Sequence, residues 1–388
     1  MRSWACQPFE KMHDPSWASR TLELEADTDL KNENGFVHID PVEERRPLPL
    51  VEDQRVDEWS AELASDLMIG RCSVTDSKST LTVELTTDSS HLFDFFTNQW
   101  PAALGVDEES SRSDARILAL VHEPDAYGIS GASSGIRYVR PDRRVILSFG
   151  NEYYGNVKVS TRGLCAAISA DSDTGMFVHG SALSIEDKGV LIGGASGAGK
   201  TTTTAALRSM ASDVQLVNDD YGPASVEHRM LTFAGEQLLH MKYRSVLDLR
   251  PDARLAPHSH LSENYCGDPQ DPHARLLIDP EEVFGEPCRN AAEWKMYVVV
   301  TRDTTERFFA RPLRPSDISM IEKSQYSAFY DRHEHFLDGS LLHLSDEHLN
   351  QTRSQYENVL AQIPGIVVNN TGRPEEAAEA VLLALGEF

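Results

Sequence analysis

The sequence predicts an α/β fold preceded by a strand-rich α+β domain. Three observations carry that reading. Residues 190–192 (Val-Leu-Ile) are a short apolar run of buried-strand type, and residues 202–210 (TTTAALRSM), beyond a glycine-rich turn, read as the start of a helix. A second apolar run, residues 214–217 (VQLV), follows one short helix later, where a neighbouring strand of a parallel sheet would fall. Between Trp59 and Ile168, by contrast, strand signals dominate.

In chain order, residues 1–58 are polar and acidic. Pro41, Pro47 and Pro49 interrupt any long element there, so the stretch reads as a loosely structured extension with one strand signal at residues 35–39. Residues 59–170 form the α+β domain. Within it residues 80–85 alternate, residues 115–121 are apolar, and the strand signals at 136–139 and 144–149 flank Arg140-Pro141-Asp142-Arg143, which reads as a hairpin turn. Residues 91–96 read as a short helix, and residues 125–128 and 151–155 as turns; this domain shows no recognisable chemistry.

Residues 171–388 form the second domain. A strand at 175–178 ends in His179-Gly180, and residues 183–188 read as a hairpin leading into the apolar run at 190–192. Further strand signals lie at 230–236, 295–302 and 366–368; residues 369–373 read as a loop and residues 374–385 as an Ala/Leu/Glu helix opened by Pro374. Residues 251–275 form a long polar loop of the kind that serves as an active-site lid. Residues 331–348 read as a solvated helical region.

The chemistry concentrates between the two apolar runs. Gly194 to Thr201 spell G-x-x-x-x-G-K-T. Gly194, Gly197 and Gly199 let the backbone turn tightly and approach a polyphosphate, so that the freed N–H groups and the next helix's N-terminus face the anion. Lys200 can reach β- and γ-phosphate oxygens, and Thr201 can offer its hydroxyl to Mg²⁺. The second run ends in Asn218-Asp219-Asp220-Tyr221-Gly222. Two carboxylates at that strand end can sit beside the loop, one holding Mg²⁺ through water and the other accepting a proton from an attacking hydroxyl. His179, at the strand end just before the loop, is a candidate for a phosphate-side or acid–base role. Lys242, Arg275 and Arg302 are weaker candidates for meeting phosphate charge. His258, His260, Cys266 and His273 fit no familiar zinc spacing.

Composition narrows the partners. A net charge of −25 over 388 residues repels nucleic acid and anionic lipid, so neither is expected as a partner. The five cysteines are scattered with no C-x-x-C pair, which fits reduced thiols in the cytoplasm. No apolar run reaches transmembrane length, and the N-terminus lacks a signal-peptide core.

His179-Gly180, the segment from Gly194 to Thr201, and Leu216-Val217-Asn218-Asp219-Asp220 together resemble the catalytic domain of the HPr kinase/phosphorylase family. That domain is similar in turn to ATP-dependent phosphoenolpyruvate carboxykinase, whose Asp-Asp segment Asp219-Asp220-Tyr221-Gly222 looks like. The resemblance covers residues 171–388 and is specific from His179 to Gly222. It implies a P-loop kinase domain of the HPr kinase/carboxykinase type, using ATP and Mg²⁺. Gly194, Ala195, Ser196, Gly197, Ala198, Gly199, Lys200, Thr201 and Thr202 would hold the nucleotide. His179, Lys200, Asp219 and Asp220 would form the catalytic set, with Thr201 and Asp220 on the metal; which aspartate is the base is left open. The expected activity is transfer of the γ-phosphate to a hydroxyl acceptor, either a serine-like residue of a protein or peptide or a small metabolite. A nucleotide-binding regulatory ATPase without an acceptor and a carboxykinase-like enzyme are the alternatives, and a homo-oligomer is left open.

Overall fold

The computed structural model describes residues 48, 50–63, 67–75, 80–100, 114–152, 154–170, 175–195, 197–225, 229–232, 235–242, 275–278, 280–281, 288–289, 291–303, 307–317, 354 and 362–386. The strand signal at 35–39, the lid loop at 251–274 and the helical region at 331–348 therefore lie outside the described residues.

The first sheet is built from β1 (Leu50–Glu52), β2 (Met68–Thr75), β3 (Thr80–Thr87), β4 (Ala115–Ala119), β5 (Arg137–Arg140) and β6 (Val145–Ser148), in the order β1-β5-β6-β4-β3-β2. β3, β4 and β6 are parallel at its centre, while β2 and β5 run antiparallel to β3 and β6. The hairpin turn expected at 140–143 joins β5 to β6, with Arg144 closing it at φ 52°. Helix α1 (Val56–Glu62) buries Val56 and Trp59, and Trp59 meets Tyr138 edge to face at 5.1 Å. β1 and the start of α1 thus fall in the stretch that its polarity marked as extension, because Leu50, Val56 and Trp59 supply enough apolar surface to dock it. Helix α2 (Ser90–Gln99) spans the helix expected at 91–96 and is capped by Ser89, whose Oγ accepts the Leu92 N–H at 3.2 Å.

Helix α3 (Tyr154–Ala170) was not foreseen; residues 154–155, read as part of a turn, are its first turn. Its core residues Tyr154, Val157, Leu164 and Cys165 are spaced at three, seven and eleven positions from one another, which keeps them on one helical face. That face packs on Phe95 of α2 and on Val83 and Ile117 of the first sheet.

The second sheet comprises β7 (Gly175–His179), β8 (Ser181–Ile185), β9 (Lys188–Gly194), β10 (Val214–Asn218), β11 (Tyr221–Ser225), β12 (Met230–Thr232), β15 (Ala291–Thr301), β16 (Ala310–Pro312) and β17 (Gly365–Asn369). A separate pair, β13 (Leu239–Lys242) and β14 (Arg275–Ile278), carries Lys242 opposite Arg275. β9, β15 and β17 are parallel neighbours, with β15 in the middle. Helices α4 (Lys200–Met210) and α5 (Pro374–Leu385) pack together over one face, on Val190, Ile192, Val298 and Val368. The chain is therefore mixed α/β, and residues 47–388 form one compact unit.

One expectation about this sheet is corrected. β10 is not a parallel neighbour of β9; it lies antiparallel to β8. The cause is the β8–β9 hairpin, whose two turn residues Glu186 and Asp187 have φ of 50° and 64°, as a tight two-residue turn requires. The hairpin occupies that edge of β9, and β15 takes the other as its parallel neighbour.

Candidate functional site

β9 is paired along both edges and Gly189 to Gly194 are buried, so the loop that leaves it is anchored in the sheet's centre. Gly194 pairs with Val300 and has φ 151°; a Cβ there would lie 2.3 Å from the Val300 carbonyl oxygen. Gly199, at φ 101°, caps α4, and the first helical bond runs from Thr203 N–H to its carbonyl at 2.8 Å. The Asn370 side-chain amide, just beyond β17, donates to the Ala198 carbonyl at 3.4 Å and holds the loop from the far side. Lys200 is buried, and its ammonium donates to the carbonyls of Gly194 at 3.1 Å and Ala195 at 3.5 Å. Ala195 and Gly197 are exposed, while Thr201 and Thr202 are half-buried on the first turn of α4. Ser196 lies outside the described residues.

The aspartate pair reaches this loop through a crease. β7 and β8 are one extended ribbon interrupted at Gly180, and β10 and β11 are another interrupted at Asp219-Asp220. The two ribbons pair antiparallel and hold register across the break, with His179 opposite Tyr221, the Gly180 N–H donating to the Asp220 carbonyl at 2.8 Å, and Ala182 opposite Asn218; the register shifts beyond it, between Asn218 and Leu216. Both bend together. Gly180 fits because a Cβ would lie 2.6 Å from the Ile192 carbonyl oxygen. Asp220 fits because aspartate tolerates the left-handed region, here at φ 64°. The pairing of Ser181 with Ile192 sets the crease beside the end of β9, where the loop begins.

The two carboxylates have different neighbours. Asp219 is 1% exposed; its Oδ1 accepts from Ser181 Oγ at 2.5 Å and from Thr201 Oγ1 at 3.4 Å. Asp220 keeps a quarter of its side chain open, with Oδ1 3.2 Å from His179 Nε2 and Oδ2 2.6 Å from Arg162 Nη2 and 3.9 Å from Lys158 Nζ. The sequence reading put Thr201 and Asp220 on the metal; the structure places Asp219, not Asp220, against Thr201.

Burial alone would push the Asp220 carboxyl up, but Arg162, the His179 hydrogen bond and Lys158 outweigh it and hold it well below the usual carboxylate range. Burial lowers the Lys200 ammonium from its ordinary value, opposed by the nearby charges of Asp220 and Asp219. Both aspartates therefore stand within electrostatic reach of the loop lysine.

Arg162 and Lys158 come from α3, in the half of the chain that showed no recognisable chemistry. Arg162 also ion-pairs with the buried Glu236, through its Nε to Oε1 and its Nη2 to Oε2 at 2.9 Å. Glu236 further receives Lys158 Nζ at 3.1 Å and Gln99 Nε2 at 2.8 Å. The guanidinium lies 3.9 Å over the Tyr221 ring, which stacks with His179 at 4.7 Å. Two cations four residues apart on an otherwise apolar helical face were the available signal for this cluster. Of the weaker candidates, Lys242 and Arg275 sit in the β13–β14 pair and Arg302 follows β15. His258, His260, Cys266 and His273 lie outside the described residues. No protein-family model matches the chain, and no curated protein is significantly similar to it in sequence.

Proposed function

We propose that the chain is an ATP-dependent kinase of HPr-kinase-like fold that transfers the γ-phosphate to a hydroxyl acceptor, a serine-like residue or a small metabolite. The observation that carries this reading is the crease. It brings Asp219 to Thr201 and Asp220 to His179 at the mouth of a glycine loop whose lysine feels both carboxylates.

The residues present fit a Mg²⁺-nucleotide. Gly194 has no room for a Cβ, and Thr201 and Asp219 offer adjacent hard oxygen donors. Among the described residues no group of three or more His, Cys, Asp or Glu forms a ready-made metal site. Mg²⁺ held mainly by phosphate oxygens and water, with Thr201 and Asp219 as protein anchors, is the arrangement that such a donor set supports. When bound, the metal supplies neutralisation of charge on the β- and γ-phosphate oxygens. The amides of the loop and Lys200 hold the polyphosphate.

Asp220 then takes the second duty. In the transfer, the acceptor oxygen forms a bond to the γ-phosphorus, the bond to the β–γ bridging oxygen breaks, and ADP leaves. The hydroxyl proton passes to the Asp220 carboxylate, which is the more open of the pair and is oriented by His179. Its depressed pKa makes it a weak base. That suits a loose transition state, in which the acceptor loses its proton late and positioning matters more than basicity.

The test is ADP release from ATP-Mg²⁺ with and without a panel of hydroxyl acceptors. Acceptor-dependent release is expected, and Lys200→Ala should abolish it with the fold intact by circular dichroism. Full activity in Lys200→Ala overturns the reading. Nucleotide binding or slow hydrolysis that no acceptor stimulates points to the regulatory alternative, and oxaloacetate-dependent consumption to a carboxykinase-like enzyme.

A further inference from the structure

We propose that Arg162, carried on helix α3, is a positioning residue for the Asp220 carboxylate. The inference rests on the kinase reading for what the carboxylate does, and on geometry for how it is held.

The cluster is anchored at its buried end. Glu236 is held by its backbone on both sides, its N–H donating to the Tyr221 carbonyl at 2.8 Å and its carbonyl accepting the Asp219 N–H at 2.5 Å. Its carboxylate receives Gln99 from α2 and both cations from α3. From there exposure rises outward: side chains are 1% exposed at Glu236, 7% at Lys158, 14% at Arg162 and 25% at Asp220. The network is closed at Glu236 and opens at Asp220, the member a substrate can reach. Arg162 is the link, because one guanidinium bonds both carboxylates while its face rests on Tyr221. Its planar fork bonds both at hydrogen-bond distance, whereas the Lys158 ammonium reaches Glu236 at 3.1 Å but stands 3.9 Å from Asp220. Asp220 is then pinned from two sides, by Arg162 on Oδ2 and by His179 on Oδ1, at a residue with a left-handed backbone. A network serving stability alone would have no need to end on an open carboxylate beside the phosphate loop. The same helix packs on the first sheet through Tyr154, Val157 and Leu164 and also lies against β7 of the second, so Arg162 is carried on an element that both sheets hold.

The experiment uses the full chain with Arg162→Ala and Arg162→Lys. Three readouts are taken: affinity for ADP-Mg²⁺ without acceptor, kcat and KM for ATP with the best acceptor, and the His179 ring signal in ¹H–¹³C NMR, assigned by its loss in His179→Gln. The expected result is a fall in kcat of about 100-fold, the scale of a reacting group displaced by an ångström. ADP affinity and KM for ATP should stay unchanged, the His179 signal should shift or broaden, and free guanidinium ion should restore part of the activity of Arg162→Ala. Arg162→Lys keeps the charge, serves if the alanine variant fails to fold, and should remain impaired. Unchanged kcat, or a parallel loss of ADP affinity, overturns the inference. Should the wild type turn over no nucleotide with any acceptor, the kinase reading fails, and the NMR signal still decides this one. A shifted His179 ring in the folded variant supports positioning, and an unshifted ring refutes it.

Discussion

Gly194→Ala tests whether the glycine loop is fixed by the strand it leaves. The residue sits at φ 151°, which L side chains rarely adopt, and its new Cβ would lie 2.3 Å from the Val300 carbonyl oxygen. That oxygen belongs to β15, paired on both sides, so the strain cannot be relieved by turning a side chain. The backbone conformation costs about 1–3 kcal/mol. Forcing β9 and β15 apart by more than an ångström adds about 1–3 kcal/mol of overpacking. Alanine returns about 0.4–1 kcal/mol by restricting the unfolded chain. The net loss is about 1–6 kcal/mol, centred near about 3 kcal/mol, or a fall in melting temperature of about 6 °C at roughly 2 °C per kcal/mol. Gly197→Ala is the internal comparison: at φ 80°, with no neighbouring atom within 4 Å of its added Cβ, it carries only the backbone part. That part is about 1–2 kcal/mol, offset by the same return of about 0.4–1 kcal/mol, hence a fall of about 0–3 °C. Calorimetric melts of the two variants, with ADP-Mg²⁺ titrations on each, give the comparison. Equal melting temperatures for the two, or a Gly194→Ala protein that melts with the wild type, would refute the claim that the ladder at Val300 fixes the loop.

Ser181→Ala removes the donor 2.5 Å from the buried Asp219 carboxylate and leaves Thr201 as its neighbour at 3.4 Å. Loss of such an orienting partner should weaken Mg²⁺-dependent ADP binding by about 10- to 100-fold, measured as the difference between titrations with Mg²⁺ and with EDTA; an unchanged difference argues against Asp219 on the metal side. Asp317 supplies the pH prediction. The Arg311 fork, opposed by burial and helped by the Arg314 N–H, holds its carboxyl below the ordinary 3.8. A depressed folded pKa stabilises above the unfolded value and is lost as pH falls through the folded one, so the stability gap between wild type and Asp317→Asn should be constant from about pH 7 to pH 5 and should narrow below about pH 3.8. Urea denaturation at three pH values reads it, and a gap that widens on acidification reverses the sign.

Local patterns with a fixed period were readable. The apolar run at 190–192 is the core of β9, residues 202–210 lie in α4, and residues 374–385 are α5, because each is set by neighbours in sequence. The Arg140–Arg143 turn was readable for the same reason. What could not be read depends on which edge a strand meets. Residues 214–217 look the same whether they pair with β9 or with β8, and the β8–β9 hairpin decides it. The aspartate roles are likewise set by a crease shared between two ribbons. Nothing in Asp219-Asp220 itself says that the first faces Ser181 and the second His179. Arg162 and Glu236 are 74 residues apart, and only packing of α3 brings them together.

The charge balance at the crease explains why the loop and the carboxylates belong together. The chain carries a net −25, a field that opposes any polyphosphate. Locally, three cations, Lys158, Arg162 and Lys200, stand against three carboxylates, Asp219, Asp220 and Glu236. Two of those cations are committed to Glu236 and Asp220, which leaves Lys200, the loop amides and the start of α4 to meet a triphosphate if one binds. On the kinase reading that is too little positive charge for a tetra-anion, and the missing charge arrives with the nucleotide as Mg²⁺. Asp219 beside Thr201 is where a cation brought that way would be anchored. Asp220 has both oxygens engaged, by Arg162 and His179, and so competes less for it. The pair is adjacent in sequence, but its members are separated by their partners, Ser181 and Thr201 for Asp219 and His179 and Arg162 for Asp220, into what the kinase reading makes a metal side and an acceptor side.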